Sequence, residues 1–422
     1  ADFENLLDCC FRQWKNLPEE EVRQLWQRLF VQTIAARIFP EIADIINAHI
    51  QQGHRLVFAS AAFAYQIEPT AAEFGITEIL ATQAEVENGV LTGKLSGDSL
   101  WGSGKAKAVE EFLKQEKLSA KRAFAYANGD EDIDFLSVVG IPTAVNADKH
   151  LSAFAERNGW PQLKFKTRKK VSLADKLRTI ASDAAMASTL ALSATAHRAG
   201  MPKRTAVNSL VNIGSELGLS IAGIEQRVVG QQHLWEKRPA VFIFNHQSPL
   251  DLLIGMNLIG RDVTGVAKKE AGDMLGWGQF MKFADMALID RSDKHKAIAA
   301  LAPAVERLKR GVSVGLCPEG TRSYTPRLGK FKKGGFHIAM QAGVPIVPIV
   351  FRNTWECMQR DSLWMRSGVV DICVHPPIDC SDWTAETLDE RIAEIEKLYQ
   401  DTLDNWPISE EIAALESFQE AT

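Results

Sequence analysis

The sequence contains no long apolar run. In its basic middle segment the longest uncharged stretch is the thirteen residues Ala184 to Ala196, whereas a simple membrane-spanning helix needs about 20. It contains no zinc-spaced cysteines. Cys9, Cys10, Cys317, Cys357, Cys373 and Cys380 are scattered through 422 residues, which fits reduced cytosolic thiols rather than a disulfide framework. No secretory signal is recognisable. Nor is there an excess of positive charge: the net charge of −5 argues against a general nucleic-acid binder. The expectation is a cytoplasmic chain of two or three domains with no nucleic-acid partner.

A hydrophobic content of 46% with 24% charged residues is ordinary for a globular protein and leaves room for a sizeable core. The charge is unevenly distributed. From Lys166 to Arg227 ten basic residues stand against four acidic ones, and from Asp382 to Thr422 twelve acidic against two basic. The acidic tail reads as a solvated helix surface.

The most informative string is Asn245-His246-Gln247-Ser248-Pro249-Leu250-Asp251. It follows a β-type run, Val241-Phe242-Ile243-Phe244, and so places a histidine at a strand end. Ser248-Pro249 reads as a helix start, serine at the N-cap and proline at the first helical position. Asp251 then falls in the first turn, pointing back toward the strand end. A carboxylate there can hold one imidazole nitrogen and leave the other to take a proton. Ser-x-x-Asp is also a capping box, and His246 alone could be an ordinary loop histidine. A second string, Cys317-Pro318-Glu319-Gly320-Thr321-Arg322-Ser323, follows the apolar run Val312 to Leu316. Its glycine allows close backbone approach, and its arginine offers a fork that matches phosphate. Between the two, Ile289-Asp290-Arg291 ends an apolar stretch, and Lys268-Lys269 supply further cations. Val344-Pro345-Ile346-Val347-Pro348-Ile349-Val350 reads as a proline-interrupted strand at a sheet edge.

The ordered series NHQSPLD, ALIDR, CPEGTRS and VPIVPIV resembles the glycerolipid acyltransferases, most closely the 1-acylglycerol-3-phosphate acyltransferases, over about Leu173 to Ser381. The resemblance implies that His246 is a general base oriented by Asp251, deprotonating an acceptor hydroxyl that attacks an acyl thioester. It also implies that Lys268, Arg291, Glu319, Gly320, Thr321 and Arg322 shape the phosphate or acceptor site. Cys317 stands where many relatives carry phenylalanine. The implied donors are acyl-CoA or acyl-carrier protein, the acceptor is a lysophospholipid, the product is phosphatidic acid, and the transfer needs no cofactor.

The first 165 residues read differently. Leu56 to Ser60 is a buried-type strand, Gly102-Ser103-Gly104-Lys105 opens a helix to about Gln115, and Ala123 to Ala127 is a strand running into Asn128-Gly129-Asp130-Glu131-Asp132-Ile133-Asp134. Another short strand is Ile141 to Asn146. This alternation implies a parallel α/β sheet with functional groups at strand carboxyl ends. Serine, lysine and paired aspartates in that order resemble the haloacid dehalogenase (HAD) phosphatases of the phosphoserine-phosphatase-like branch, and the tail Val139 to Asp148 extends the match. By that resemblance Ser60 and Lys105 contact phosphate, while Asp130 and Asp134 hold Mg²⁺, an ion that suits hard carboxylate oxygens. No Asp-x-Asp nucleophile motif precedes Ser60. In this fold the strand that carries it is central, so the expectation is a HAD-like domain with a gap and without phosphatase turnover.

The expected fold class is therefore α/β: an incomplete HAD-like parallel α/β domain over 1–165, then a glycerolipid-acyltransferase α/β domain over 166–422. The latter begins with a basic helical hairpin (166–228; helical patterns Leu173 to Ala196 and Thr205 to Val228) and ends in an acidic helical tail (382–422). The hairpin fits either burial against the core or shallow insertion among lipid headgroups at the membrane inner face. Two rival functions are a Mg²⁺-dependent phosphomonoesterase with a lipid-binding C-terminal half, and an acyltransferase for another lysophospholipid.

Overall fold

A computed structural model describes residues 11–165, 171–268, 272–273, 277–289 and 301–407, apart from the side chains of Ala36, Lys268, Trp277 and Phe280. The chain divides into two compact units, Ala1–Arg168 and Lys169–Thr422.

In the first unit the chain runs α1 (Glu19–Leu29), α2 (Pro40–Gln51), β1 (Val57–Phe63), α3 (Ala64–Glu73), β2 (Glu78–Thr82), β3 (Ala84–Glu87), β4 (Val90–Leu95), α4 (Ser103–Gln115), β5 (Phe124–Ala127), α5 (Ile133–Ser137), β6 (Ile141–Val145), α6 (Lys149–Arg157) and β7 (Gln162–Leu163). The parallel pairing expected from strand–helix alternation is present, but not as one sheet. β1 pairs with β2, β5 with β6 and β7, and β3 with β4 in a hairpin. Among the described residues β1 is hydrogen-bonded only to β2, and β5 only to β6, so the ladder is interrupted between β1 and β5. Side chains still cross the interruption: Ala59 and Leu80 pack on the cluster that contains Val109, Ala125 and Ala144.

The second unit begins with α7 (Leu173–Arg198), then α8 (Lys203–Ser209), a π turn over Leu210–Gly214, and α9 (Ser215–Ala222). There the helical hairpin ends, six residues short of the expected Val228. Gly223 adopts the left-handed conformation at φ 74° that stops a helix, and Ile224–Val229 becomes β8, an edge strand parallel to β14. The remaining elements are α10 (His233–Glu236), β9 (Val241–Phe244), α11 (Leu250–Ile259), β10 (Val263–Lys268), α12 (Trp277–Phe283), β11 (Ala287–Ile289), α13 (Ala302–Lys309), β12 (Ser313–Leu316), α14 (Gly334–Ala342), β13 (Ile346–Arg352), α15 (Thr354–Cys357), β14 (Gly368–Val374) and α16 (Leu388–Asp404). The seven strands are ordered β11-β10-β12-β9-β13-β14-β8, parallel except at β13–β14. β9 sits at the centre with both faces covered. Phe242 and Phe244 enter one apolar cluster, Val241 and Ile243 the other, as the two-residue period of a strand requires.

The proline-interrupted strand is not at an edge. β13 lies between β9 and β14. Pro348 is tolerated because it stands opposite His375, just past the end of β14, and its carbonyl accepts the His375 N–H at 2.9 Å. On the other side the fully buried Tyr399 is inserted into the ladder. Its hydroxyl donates to the Ile243 carbonyl at 2.6 Å and accepts the Ile349 N–H at 3.1 Å. A side chain from α16 thus completes the pairing of β9 with β13 where a direct bond would otherwise stand.

Candidate functional site

Three of the expected groups lie at the carboxyl ends of adjacent parallel strands: His246 after β9, Cys317–Ser323 after β12, and Lys268 as the last residue of β10. That edge is where open α/β sheets place their ligands. Arg291 lies outside the described residues, as does the side chain of Lys268.

The exit of β9 is built by Asn245, which is buried. Its side-chain amide donates to the Phe351 carbonyl at 2.9 Å and accepts the Phe351 N–H at 2.7 Å, standing in for one more peptide of the β9–β13 ladder. The next residue, His246, is gripped through its main chain. Its N–H donates to Glu319 Oε1 at 2.6 Å, and its carbonyl accepts the Ser323 N–H at 2.9 Å. The imidazole Nδ1 is 2.9 Å from Asp251 Oδ2, and the same oxygen accepts the N–H groups of Gln247 (2.6 Å) and Ser248 (2.7 Å). A carboxylate only accepts, so Nδ1 carries the proton in the neutral ring and Nε2 keeps its lone pair. The Asp251 side chain is fully buried, while that of His246 is 22% exposed. The helix starts one residue later than the serine–proline pair suggests. α11 begins at Leu250, with Ser248 Oγ accepting the Leu250 N–H at 3.1 Å and donating to the Met358 carbonyl at 2.7 Å.

Glu319 is a tie between loops. Besides the His246 N–H it accepts the Gly329 N–H at 2.7 Å and the Ser323 hydroxyl at 3.3 Å, and it is 4% exposed. Gly329 makes room for it, since a Cβ there would collide with Oε2. Gly320, at φ 70°, closes the turn with its N–H on the Cys317 carbonyl at 3.1 Å. Thr321 is exposed. Arg322 is half-buried; its Nη1 donates to the Arg360 carbonyl at 2.6 Å, and Arg360 Nη1 donates back to the Arg322 carbonyl. Burial, and then the neighbouring Arg360, lower the Arg322 pKa.

These geometries coincide with sequence relationships. Residues 225–352 match the family model described as acyltransferase, and residues 7–137 match haloacid dehalogenase-like hydrolase. A 1-acyl-sn-glycerol-3-phosphate acyltransferase of Limnanthes douglasii is 35% identical over 42% of this chain and 63% of that protein. One of Escherichia coli (strain K12) is 32% identical over 37% of this chain and 69% of that protein. The chain belongs to the acyltransferase family. It spans 63% of the length of the Limnanthes relative. The crystal structure of the LPA acyltransferase PlsC from Thermotoga maritima is 21% identical, with 56% of this chain and 98% of that chain covered and a TM-score of 0.48.

In the HAD-like unit the expected residues fall into separate groups. Ser60 Oγ, on β1, accepts the Ala62 N–H at 3.1 Å. Lys105 forms a buried ion pair with Asp132, not with Asp130 or Asp134. Asp130 is exposed and gathers with Glu131 and Asp148, their ligand oxygens within 4.8 Å of one another, while Asp134 stands outside that group on α5. The oxygen-only set is of the kind that suits Mg²⁺. Asp148 Oδ1 also caps α6, accepting the Leu151 N–H at 2.8 Å, which its place before Lys149 could have suggested. In the acyltransferase unit the sequence alone assigns no role to Asn245, Gly329 or Arg360. Asn245 opens the histidine string, but nothing local marks it as a strand extension, and Gly329 and Arg360 lie beyond the motifs.

Burial pushes the Glu319 carboxyl from its ordinary 4.5 up to about 7, against the pull of its three donors. The stability linked to its protonated form is fully present below pH 4.5 and is lost as the pH rises through about 7. Glu319→Gln removes this titration. The difference in unfolding free energy between parent and variant, from urea titrations, should shrink as the pH is raised from 5 to 8; a pH-independent difference would contradict the raised carboxyl.

Proposed function

We propose that the second unit transfers a fatty acyl group from an acyl thioester, acyl-CoA or acyl-carrier protein, to the free hydroxyl of 1-acylglycerol-3-phosphate, giving phosphatidic acid. The observation that carries this reading is the 2.9 Å contact of His246 Nδ1 with buried Asp251 at the carboxyl end of the central strand. It leaves Nε2 to take the acceptor's proton as the hydroxyl oxygen attacks the thioester carbonyl. The tetrahedral adduct then collapses, the carbon–sulfur bond breaks, and the departing thiolate recovers that proton from the imidazolium. Asp251 fixes the tautomer and stabilises the charged ring. Arg322 serves the acceptor phosphate, with Lys268 and Arg291 as further cations. Glu319 acts through His246, as a positioning residue.

The same reading places the protein in peripheral contact with the inner face of a membrane. α7 is inverted: its buried face carries Thr179, Ser182, Thr189 and Ser193, while Leu173, Leu177, Ile180 and Leu192 are 74%, 59%, 56% and 71% exposed. Ser182 Oγ donates across to the Gly218 carbonyl at 2.8 Å, so a hydroxyl joins the hairpin's limbs while those four apolar side chains face outward. Among the described residues no helix is long and apolar enough to cross a bilayer. Such a face, flanked by basic residues, suits the acyl–headgroup boundary of anionic lipid.

Incubation with acyl-CoA and a lysophospholipid panel, read by mass spectrometry, should yield phosphatidic acid. His246→Ala should lower the rate by roughly 10²–10⁴, and near-parental turnover in that variant would remove the base assignment. In liposome sedimentation, binding should rise with anionic lipid and drop when Leu173, Leu177 and Leu192 are changed together to serine; binding untouched by that change would refute the hairpin contact.

A further inference from the structure

Arg322 and Arg360 are joined in a way that the acyl-transfer reading does not by itself require. Each guanidinium holds the other residue's main-chain carbonyl, so two positive side chains are fixed side by side. The Arg360 guanidinium carbon stands over the Tyr324 ring, 3.9 Å from its centroid, a cation–π contact that helps hold it in place. Both residues are half-buried. Among the described residues neither guanidinium is in a salt bridge; Asp361 and Asp251 act on Arg322 only at longer range, and Arg360 opposes its charge. The pair is also tied to the histidine loop on two sides: the Ser323 N–H donates to the His246 carbonyl at 2.9 Å, and Ser248 Oγ donates to the carbonyl of Met358 at 2.7 Å.

From this arrangement we infer that Arg360 completes, with Arg322, a two-arginine clamp for a phosphate monoester dianion, and that the clamp selects acceptors ending in a free phosphate over those whose phosphate is a diester. Each arginine uses Nη1 on the partner's carbonyl, and a planar fork has further N–H groups that match phosphate oxygens in bidentate fashion. Two fixed cations without a contacting carboxylate favour two negative charges over one. A diester carries only one and has replaced an oxygen acceptor with a substituent. The ligand is the acceptor and not the donor on grounds of reach. In a lysophosphatidate the phosphate lies on the carbon next to the reacting hydroxyl, so it must sit near His246, and the Arg322 loop is joined to His246 through the Ser323 N–H. The phosphates of coenzyme A are separated from the thioester by the whole pantetheine arm.

The inference rests on the acyl-transfer reading, and the test separates the two. Glycerol 3-phosphate, methyl glycerol phosphate diester and coenzyme A are titrated by calorimetry into the full chain and into Arg360→Gln and Arg360→Lys. The parent should bind the monoester more tightly than the diester. Arg360→Gln should lose about tenfold or more of the monoester affinity, Arg360→Lys less, since it keeps a charge but not the fork. Kinetically, the loss should appear in KM for lysophosphatidic acid more than in kcat. The fall in the parent's KM as the phosphate gains its second charge near pH 6 should flatten in Arg360→Gln, a change that loosened packing alone would not produce. Unchanged monoester affinity, an equal loss on monoester and diester, or a loss confined to coenzyme A would overturn the clamp. If the parent acylates no lysophospholipid, the acyl-transfer reading falls, and the titrations still decide the clamp.

Discussion

The buried carboxylate of Glu319 is the constraint on which the acyltransferase site depends. β9 and β12 are hydrogen-bonded neighbours, yet their loops diverge at the sheet edge, and Glu319 rejoins them by accepting the N–H groups of His246 and Gly329. The Ser323 N–H on the His246 carbonyl closes the second side of the grip. With its main chain fixed on both sides, His246 has little freedom left except ring orientation, and Asp251 determines that. Holding a charged group at this depth costs solvation, which is why the carboxyl titrates so high. The site is therefore positioned by a group that disfavours its own charged state.

The sheet supplies the rigidity beneath. Asn245 prolongs the central ladder by one residue-equivalent, and Tyr399 bridges it below, so the histidine leaves from a strand end with no slack. The hairpin follows the opposite logic. Its buried positions are hydroxyl residues, and Gly218 lets α7 and α9 approach closely: a Cβ there would press on the Met186 side chain. Leu173, Leu177, Ile180 and Leu192 are left outside. An outward apolar face and an imidazole held by a buried carboxylate are thus built by one chain with inverted burial rules in its two parts.

Much of this was legible because it is local. The period-2 run Val241 to Phe244, the glycine–lysine start of α4 and the histidine-to-aspartate spacing each depend on residues within one turn or strand. Errors arose where distant partners decide. Ile224 to Val228 reads as the tail of a helix, but Gly223 and the facing strand β14 make Ile224–Val229 the strand β8. The prolines of Val344 to Val350 suggested an edge, because the proline rule cannot know that β14 ends opposite Pro348. Arg360 carries no local signature; its pairing with Arg322 spans 38 residues of sequence. The carboxylates of the HAD-like unit regroup for the same reason, Asp148 reaching Asp130 from after β6.

The central claim, a neutral imidazole presenting Nε2 because buried Asp251 holds the Nδ1 proton, is most directly tested by ¹⁵N NMR of histidine-labelled protein at neutral pH. The account predicts that His246 has a protonated Nδ1 and an unprotonated Nε2, and that Asp251→Asn abolishes this tautomer preference. A resting His246 protonated on Nε2 alone, or a tautomer unmoved by Asp251→Asn, would contradict it.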